Sequence, residues 1–138
     1  MTVKDFIIKH EGLKLKPYIC PAGKLTIGVG RNIEENGISE NEAMYMLEND
    51  IKRCENELRE IFDNFDELPK NVKIALIDMI FNLGKPRFLQ FKKMIQAIKE
   101  GNFKRAAEEA KNSRWCKQVG SRCEDVYEMI KSNNFTDN

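Results

Sequence analysis

The chain has 138 residues, a common size for a single domain and enough to bury roughly two-thirds of its unfolded surface. Charged residues make up 33% of it, but 23 Lys and Arg stand against 22 Asp and Glu, so the formal net charge is only +1. With this balance, the protein as a whole has no positive electrostatic field that would attract nucleic acid or an acidic membrane surface. Any anionic partner must be bound by a local patch of positive charge.

The first predicted element is a short amphipathic helix that ends at Glu11. Thr2 and Asp5 have the spacing of a capping box, in which each side chain accepts a hydrogen bond from the backbone of the other residue. Phe6, Ile7 and His10 are expected to face inward, and the glycine directly after Glu11 is expected to end the helix.

A β-rich stretch follows at residues 15–32. Its β-forming residues are broken by Pro21, Gly23, Gly28 and Gly30. Such spacing predicts a small twisted hairpin or a three-stranded sheet, too short to be a domain alone.

A long helix of roughly 24 residues is predicted next, because apolar residues recur at helical spacing through residues 39–62. Ser39 and Glu42 form a second capping-box pattern at its start. The charges on its surface alternate in sign, so its middle is expected to be exposed as a strut between two lobes.

The remaining residues predict a helical bundle. Residues 69–83 are densely apolar and indicate a central core helix, and three more amphipathic helices are expected at 88–98, 102–111 and 122–130. Trp115 is expected in the core of this bundle. The polar tail, residues 132–138, is expected to fray.

Together these elements predict an α+β fold that is mostly α, in one domain spanning residues 1–138. A small N-terminal lobe with the sheet is expected at residues 1–38 and a connecting helix at 39–62. A helical C-terminal lobe is expected at 63–138.

Four cysteines, Cys20, Cys54, Cys116 and Cys123, are predicted to be reduced, because the N-terminus has no secretory signal. None forms a C-x-x-C pair and there is one histidine, so no metal site is expected, and no cofactor is implied. No apolar run approaches the ~18 residues of a membrane span, so a soluble product made in the cytoplasm is expected.

Three chemically useful residues follow one another at fixed intervals: Glu11, eight residues, Cys20, five residues, Thr26. The last two lie in a stretch punctuated by Gly and Pro that can fold back over the first. A carboxyl, a thiol and a hydroxyl lining one cleft indicate acid–base catalysis.

This pattern, placed between a first helix and a β-hairpin, resembles the phage-type lysozymes of glycoside hydrolase family 24, whose signature is Glu, eight residues, Asp or Cys, five residues and Thr. The chain has the Cys variant. The similarity covers most of the chain, including Glu11-Gly12-Leu13, Thr26-Ile27-Gly28-Val29-Gly30, Ala75-Leu76-Ile77-Asp78-Met79-Ile80-Phe81-Asn82-Leu83-Gly84 and Ser113-Arg114-Trp115. It implies a lysozyme-like fold and hydrolysis of the β-1,4 bond between N-acetylmuramic acid and N-acetylglucosamine in peptidoglycan, in a cleft between two lobes.

The resemblance makes Glu11 the acid that protonates the glycosidic oxygen, and Thr26 the residue that holds the attacking water in an inverting reaction. Cys20 stands where most glycosidases place a carboxylate, and its role as base, nucleophile or charge stabiliser stays open. A free thiol is only a few per cent ionised at neutral pH, so positive charge from Lys24 or Arg31 is the expected means of lowering its pKa.

The resemblance also implies a set of substrate-binding positions. Glycines let the strand approach the sugar closely, and Arg122 matches the family arginine that pairs with Glu11 across the cleft. The complete set is Gly28, Gly30, Asn82, Phe91, Ile95 and Arg122. For Phe91 and Ile95, packing in the core is as good an interpretation as substrate contact. For Asn82, the equal alternative is an exposed amide at a helix end.

The leading prediction is a monomeric endolysin with peptidoglycan as its partner. It waits in the host cytoplasm until a separate holin-like protein releases it to the cell wall, where it causes lysis. One alternative is a lytic transglycosylase, which forms a 1,6-anhydro product without water. Another is a non-catalytic cell-wall-binding module in which Cys20 replaces a lost aspartate. Nucleic acid is disfavoured by the charge balance, although the Lys-rich C-terminal lobe is able to contact acidic cell-wall polymers.

Overall fold

The computed structural model describes residues 1–132 and divides them into two compact units, Met1–Met46 and the residues from Leu47 onward. The fold is α+β and mostly α, as predicted. Apart from Ser132, the predicted polar tail lies outside the described residues. Within the described part, every helix is too short or too polar to cross a membrane.

The first unit contains a helix, a small sheet and a helical turn that precede a long helix. Its elements are α1 (Val3–Glu11), β1 (Lys14–Ile19), β2 (Leu25–Gly28), β3 (Arg31–Asn32), α2 (Ile33–Asn36) and the start of α3 (Glu40–Ile61).

Both predicted capping boxes are confirmed. Asp5 N–H donates to Thr2 Oγ1 over 3.0 Å, and Thr2 N–H donates to the Asp5 carboxyl over 3.3 Å. At α3, Ser39 N–H donates to Glu42 Oε1 over 2.8 Å, and Glu42 N–H donates to Ser39 Oγ over 3.1 Å. α1 ends at Glu11 as predicted, and α3 ends one residue before its predicted end.

The sheet is antiparallel, with its strands in the order β1-β2-β3. Thr26, on the central strand, pairs with Tyr18 on one side and with Asn32 on the other. The three-stranded alternative is therefore confirmed, and it places Thr26 in the middle of the sheet.

The prediction that Phe6, Ile7 and His10 face inward is wrong, because all three residues are exposed, Phe6 by 54% and Ile7 by 46%. A chain buries a smaller fraction of its surface as it becomes shorter, and three short strands offer little apolar area to cover a helix. Among residues 1–46, Thr26 alone is buried.

The second unit is helical and contains the hydrophobic core. After the rest of α3, its elements are a 3-10 turn (Phe65–Glu67), α4 (Lys70–Leu83), α5 (Lys85–Phe88), α6 (Lys92–Lys99), α7 (Phe103–Lys111), α8 (Arg114–Val119) and α9 (Ser121–Lys131). α4 packs against α9, and α7 packs against α6 and α9. α4 is the core helix, as predicted, and Trp115 is buried, as predicted.

The helix predicted at residues 88–98 begins only at Lys92, as α6, and the short helix α5 (Lys85–Phe88), which precedes it, was not predicted. Gly84 ends α4 at a φ of 81°. Pro86 lies in the first turn of α5, where a backbone N–H has no acceptor within the helix, so the lack of an N–H in proline costs no hydrogen bond. The chain then leaves helical geometry at Phe91, with φ −81° and ψ 56°, before α6 begins.

A disulfide joins Cys116 on α8 to Cys123 on α9, so the prediction of reduced thiols is wrong for this pair. The sequence pattern also missed α8, which has only six residues. Gly120, at a φ of 61°, reverses the chain between the two helices and brings the cysteine Cα atoms to 4.9 Å, within reach of a disulfide. Cys20 and Cys54 are free, as predicted.

Candidate active site

Glu11 is exposed at the last position of α1, and its carboxyl lies against the backbone of Gly30. A Cβ atom at position 30 would lie 2.7 Å from Glu11 Cδ and 2.9 Å from Oε1, closer than side-chain atoms approach one another. Gly30 has a φ of 65°, a left-handed conformation that glycine adopts at no steric cost. The close approach of the two residues therefore requires a glycine.

Cys20 and Thr26 are brought together by the hairpin between β1 and β2. Gly23 N–H donates to Cys20 O over 2.8 Å and closes a three-residue loop, in which Gly23 has a φ of 81°. Cys20 N–H donates to Lys24 O over 2.9 Å, and the Thr26 hydroxyl donates to the same carbonyl over 2.9 Å. The Lys24 carbonyl is thus a shared partner of both residues.

Hydrogen-bond donors lower the pKa of the Cys20 thiol below its ordinary value. The backbone N–H of Lys24 has the largest effect, and the Thr26 hydroxyl the next, since both stabilise the ionised sulfur. A hydroxyl has one proton, so Thr26 donates either to the Lys24 carbonyl or to the thiolate.

The expected cause of the lowered pKa, the side-chain charges of Lys24 and Arg31, is wrong. Lys24 Nζ pairs with Glu35 at 3.0 Å and with Glu34 at 3.8 Å, and Arg31 Nη1 pairs with Glu42 at 2.6 Å. Lys24 acts on the thiol through its backbone, which sequence spacing does not show.

The candidates Asn82, Phe91 and Ile95 lie in the second unit, where each has a structural partner. Asn82 Oδ1 accepts a hydrogen bond from Trp115 Nε1 over 2.8 Å, and the Phe91 ring meets Trp115 edge-on at 6.3 Å between centroids. Ile95 is 8% exposed and belongs to the core. Substrate contact by these three residues stays a prediction.

Arg122 binds Asp78 through two charge-assisted hydrogen bonds, Nε to Oδ2 at 2.9 Å and Nη2 to Oδ1 at 2.8 Å. Asp78 was not among the predicted site residues. It lies one helical turn before the candidate Asn82, on the same face of the core helix. A carboxylate at that spacing was the sequence signal that could have identified it as the partner of Arg122. The pairing of Arg122 with Glu11 stays a prediction.

No group of three or more His, Cys, Asp or Glu side chains within residues 1–132 is arranged to hold a metal ion. The candidate residues of the first unit offer a carboxyl, a thiol of lowered pKa and a hydroxyl. Gly28, the remaining candidate, has a φ of 72° and open space where a Cβ would lie.

Known proteins that are similar to this chain bear on this site. The model of the phage lysozyme family matches residues 8–129. "Probable T4-type lysozyme 2" and "Probable T4-type lysozyme 1" of Dictyostelium discoideum are 28% and 29% identical to this chain, over 95% of it and 94% of each relative. The "Pre-baseplate central spike protein Gp5" of Enterobacteria phage T4 is 24% identical over 98% of this chain and 28% of its own length.

Proposed function

Because the chain belongs to the phage lysozyme family, we propose that it is a muramidase that hydrolyses the β-1,4 bond between N-acetylmuramic acid and N-acetylglucosamine in peptidoglycan. The observation that carries the proposal is that the Cys20 backbone N–H and the Thr26 hydroxyl both donate hydrogen bonds to the Lys24 carbonyl. Both residues lie in the same unit as Glu11. These residues supply an acid and a group that activates water, the two requirements of glycoside hydrolysis.

In the proposed reaction, Glu11 gives its proton to the glycosidic oxygen as the bond from that oxygen to the anomeric carbon breaks. A water held by the Thr26 hydroxyl attacks the anomeric carbon from the opposite face of the sugar. The Cys20 thiolate accepts the proton that this water loses, and its lowered pKa raises the fraction ionised near neutral pH. The product is an inverted, reducing sugar.

We also propose that the enzyme acts as a monomeric endolysin, made in the host cytoplasm and released to the cell wall by a separate holin-like protein. The Cys116–Cys123 disulfide supports action outside the cytoplasm, since disulfides persist in oxidising compartments.

The proposed activity is tested by loss of turbidity in bacteria whose outer membrane has been permeabilised. The parent is expected to clear the suspension, and Glu11→Gln to reduce the rate by at least about 100-fold, since the amide has no acidic proton to give. Glu48→Gln, at an exposed position of α3, is the matched control and is expected to clear at the parent rate. Equal clearing by Glu11→Gln would contradict the assignment.

Mass spectrometry of the released fragments separates the alternatives. Hydrolysis adds one water per bond and leaves reducing ends. A lytic transglycosylase leaves 1,6-anhydro ends, and a non-catalytic wall-binding module sediments with peptidoglycan but releases no fragments.

A further inference from the structure

Positive charge is concentrated in one part of this nearly neutral chain. Residues 85–119, which contain α5 to α8, carry ten Lys and Arg and three Glu, a surplus of seven positive charges. The other residues carry thirteen basic and nineteen acidic side chains. The second unit therefore presents the local cationic patch that the net charge of +1 conceals.

Four of these cations line one cavity of about 630 Å³: Arg87, Lys92, Lys93 and Arg114. Glu109 is its one acidic lining residue. None of the four cations forms an ion pair with any residue that the structure describes. Like charges gathered around one cavity repel each other and destabilise the fold, and a bound anion would remove that repulsion.

We propose that this cavity binds a phosphate-bearing polymer of the cell wall, of the poly(glycerol phosphate) type. Arginine binds phosphate oxygens through paired N–H donors, and lysine adds point charges that track a repeated anion. The sugars of peptidoglycan are uncharged, and its carboxylates are confined to its peptides, whereas a glycerol phosphate chain has a negative charge in every repeat. The choice of a wall polymer rests on the proposed function.

Binding is measured by titrating purified poly(glycerol phosphate) into the full chain and following calorimetric heat and tryptophan fluorescence. Trp115 is the single tryptophan and lines the cavity, so its emission reports on occupancy. Lys92→Glu/Lys93→Glu is expected to raise Kd at least about tenfold. Lys104→Glu/Lys117→Glu changes the net charge equally within the basic segment, outside the cavity lining, and is expected to raise Kd less than about threefold.

Two further ligands identify the chemistry. Oligothymidylate with the same number of phosphates is expected to bind at least about tenfold more weakly, because it supplies the same charge without the glycerol units that the proposed site contacts. Peptidoglycan strands freed of phosphate polymer are expected to bind without dependence on Lys92 and Lys93.

The proposal is overturned if the parent does not bind poly(glycerol phosphate), if both double variants weaken binding equally, or if oligothymidylate binds as tightly. It is also overturned if phosphate-free strands depend on the same lysines, since peptide carboxylates would then be the ligand. The midpoint of thermal unfolding is measured for each variant to check that it is folded. If Lys92→Glu/Lys93→Glu is unfolded, Lys92→Gln/Lys93→Gln is used in its place. Because no turnover is needed, failure of the muramidase assignment leaves this test unaffected.

Discussion

At the scale of single residues, Gly30 positions the Glu11 carboxyl by having no side chain. Gly30→Ala would place a methyl group 2.7 Å from Glu11 Cδ, so the carboxyl must move. A displacement of about 1 Å in a catalytic group costs on the order of 100-fold in rate. We therefore expect kcat to fall by about that factor, with a smaller change in KM, in an assay on soluble peptidoglycan.

Gly37→Ala is the matched control for this substitution. Gly37 also has a positive φ, 59°, and lies in the same unit, but a Cβ there has no neighbour within 4 Å. Both variants are strained because a side chain disfavours a positive φ, and at Gly37, whose ψ is −150°, the strain is about 1–3 kcal/mol. Equal loss of kcat in the two would show that strain, rather than displacement of Glu11, is responsible.

The role of Cys20 is open to a pH measurement. Lys24 N–H and the Thr26 hydroxyl lower the pKa of this thiol, so the thiolate forms at a lower pH than in a free cysteine. If the thiolate is the base and Glu11 is the acid, kcat depends on the protonation of both groups, so its pH profile is bell-shaped with one limb set by the pKa of Cys20. Cys20→Asp moves that limb to lower pH, and Cys20→Ser lowers kcat at least about 100-fold. Parent-like activity of Cys20→Ser would show that the thiol is a bystander.

The contribution of Thr26 to that pKa can be measured apart from catalysis. Thr26→Val removes one donor to the thiolate, so the pH midpoint for alkylation of Cys20 by iodoacetamide is expected to rise. Cys54 does not interfere, because burial raises the pKa of its thiol. An unchanged midpoint would mean that the hydroxyl stays on the Lys24 carbonyl.

At the scale of elements, the ion pair of Arg31 with Glu42 ties β3 to α3. The Arg31 guanidinium, with the backbone N–H of Ser39, lowers the pKa of Glu42 from 4.5 to about 2. Because the folded pKa lies below the unfolded one, the pair stabilises the fold above pH 4.5, and this contribution is lost as the pH falls towards 2.

We expect Glu42→Gln to unfold at a lower temperature than the parent at pH 7, with the difference vanishing near pH 2. Thermal unfolding by circular dichroism across this range checks it, with Glu48→Gln, on the same helix, as the control. A difference that stays constant with pH would show that Glu42 acts only as a hydrogen-bond acceptor.

Some elements were predictable from sequence because their signals are local. The capping boxes at Thr2 and Ser39 depend on residues three apart, and the apolar run of α4 depends on helical spacing. The α5–α6 break and the six-residue α8 depend on packing and short turns that periodicity does not resolve. In the site, the intervals between Glu11, Cys20 and Thr26 were readable, whereas the backbone contacts of Lys24 and Gly30 emerge only in three dimensions.

At the scale of the whole molecule, the two units differ in the apolar surface that they bury. All buried hydrophobic side chains among residues 1–132 lie from Cys54 onward, and the first unit buries Thr26 alone. Local opening requires less free energy where few apolar contacts are broken. The first unit, which holds the candidate catalytic residues, is therefore expected to open more readily than the helical core.

Hydrogen exchange read by mass spectrometry checks this difference. Amides of β2 are expected to exchange through openings of lower free energy than those of α4, whose slowest amides report global unfolding. Met79→Ala, which leaves a cavity in the core, is expected to speed exchange in α4 far more than in β2, because β2 opens without disturbing that core. Equal protection of β2 and α4 in the parent, falling equally in Met79→Ala, would show that the two units unfold as one cooperative body.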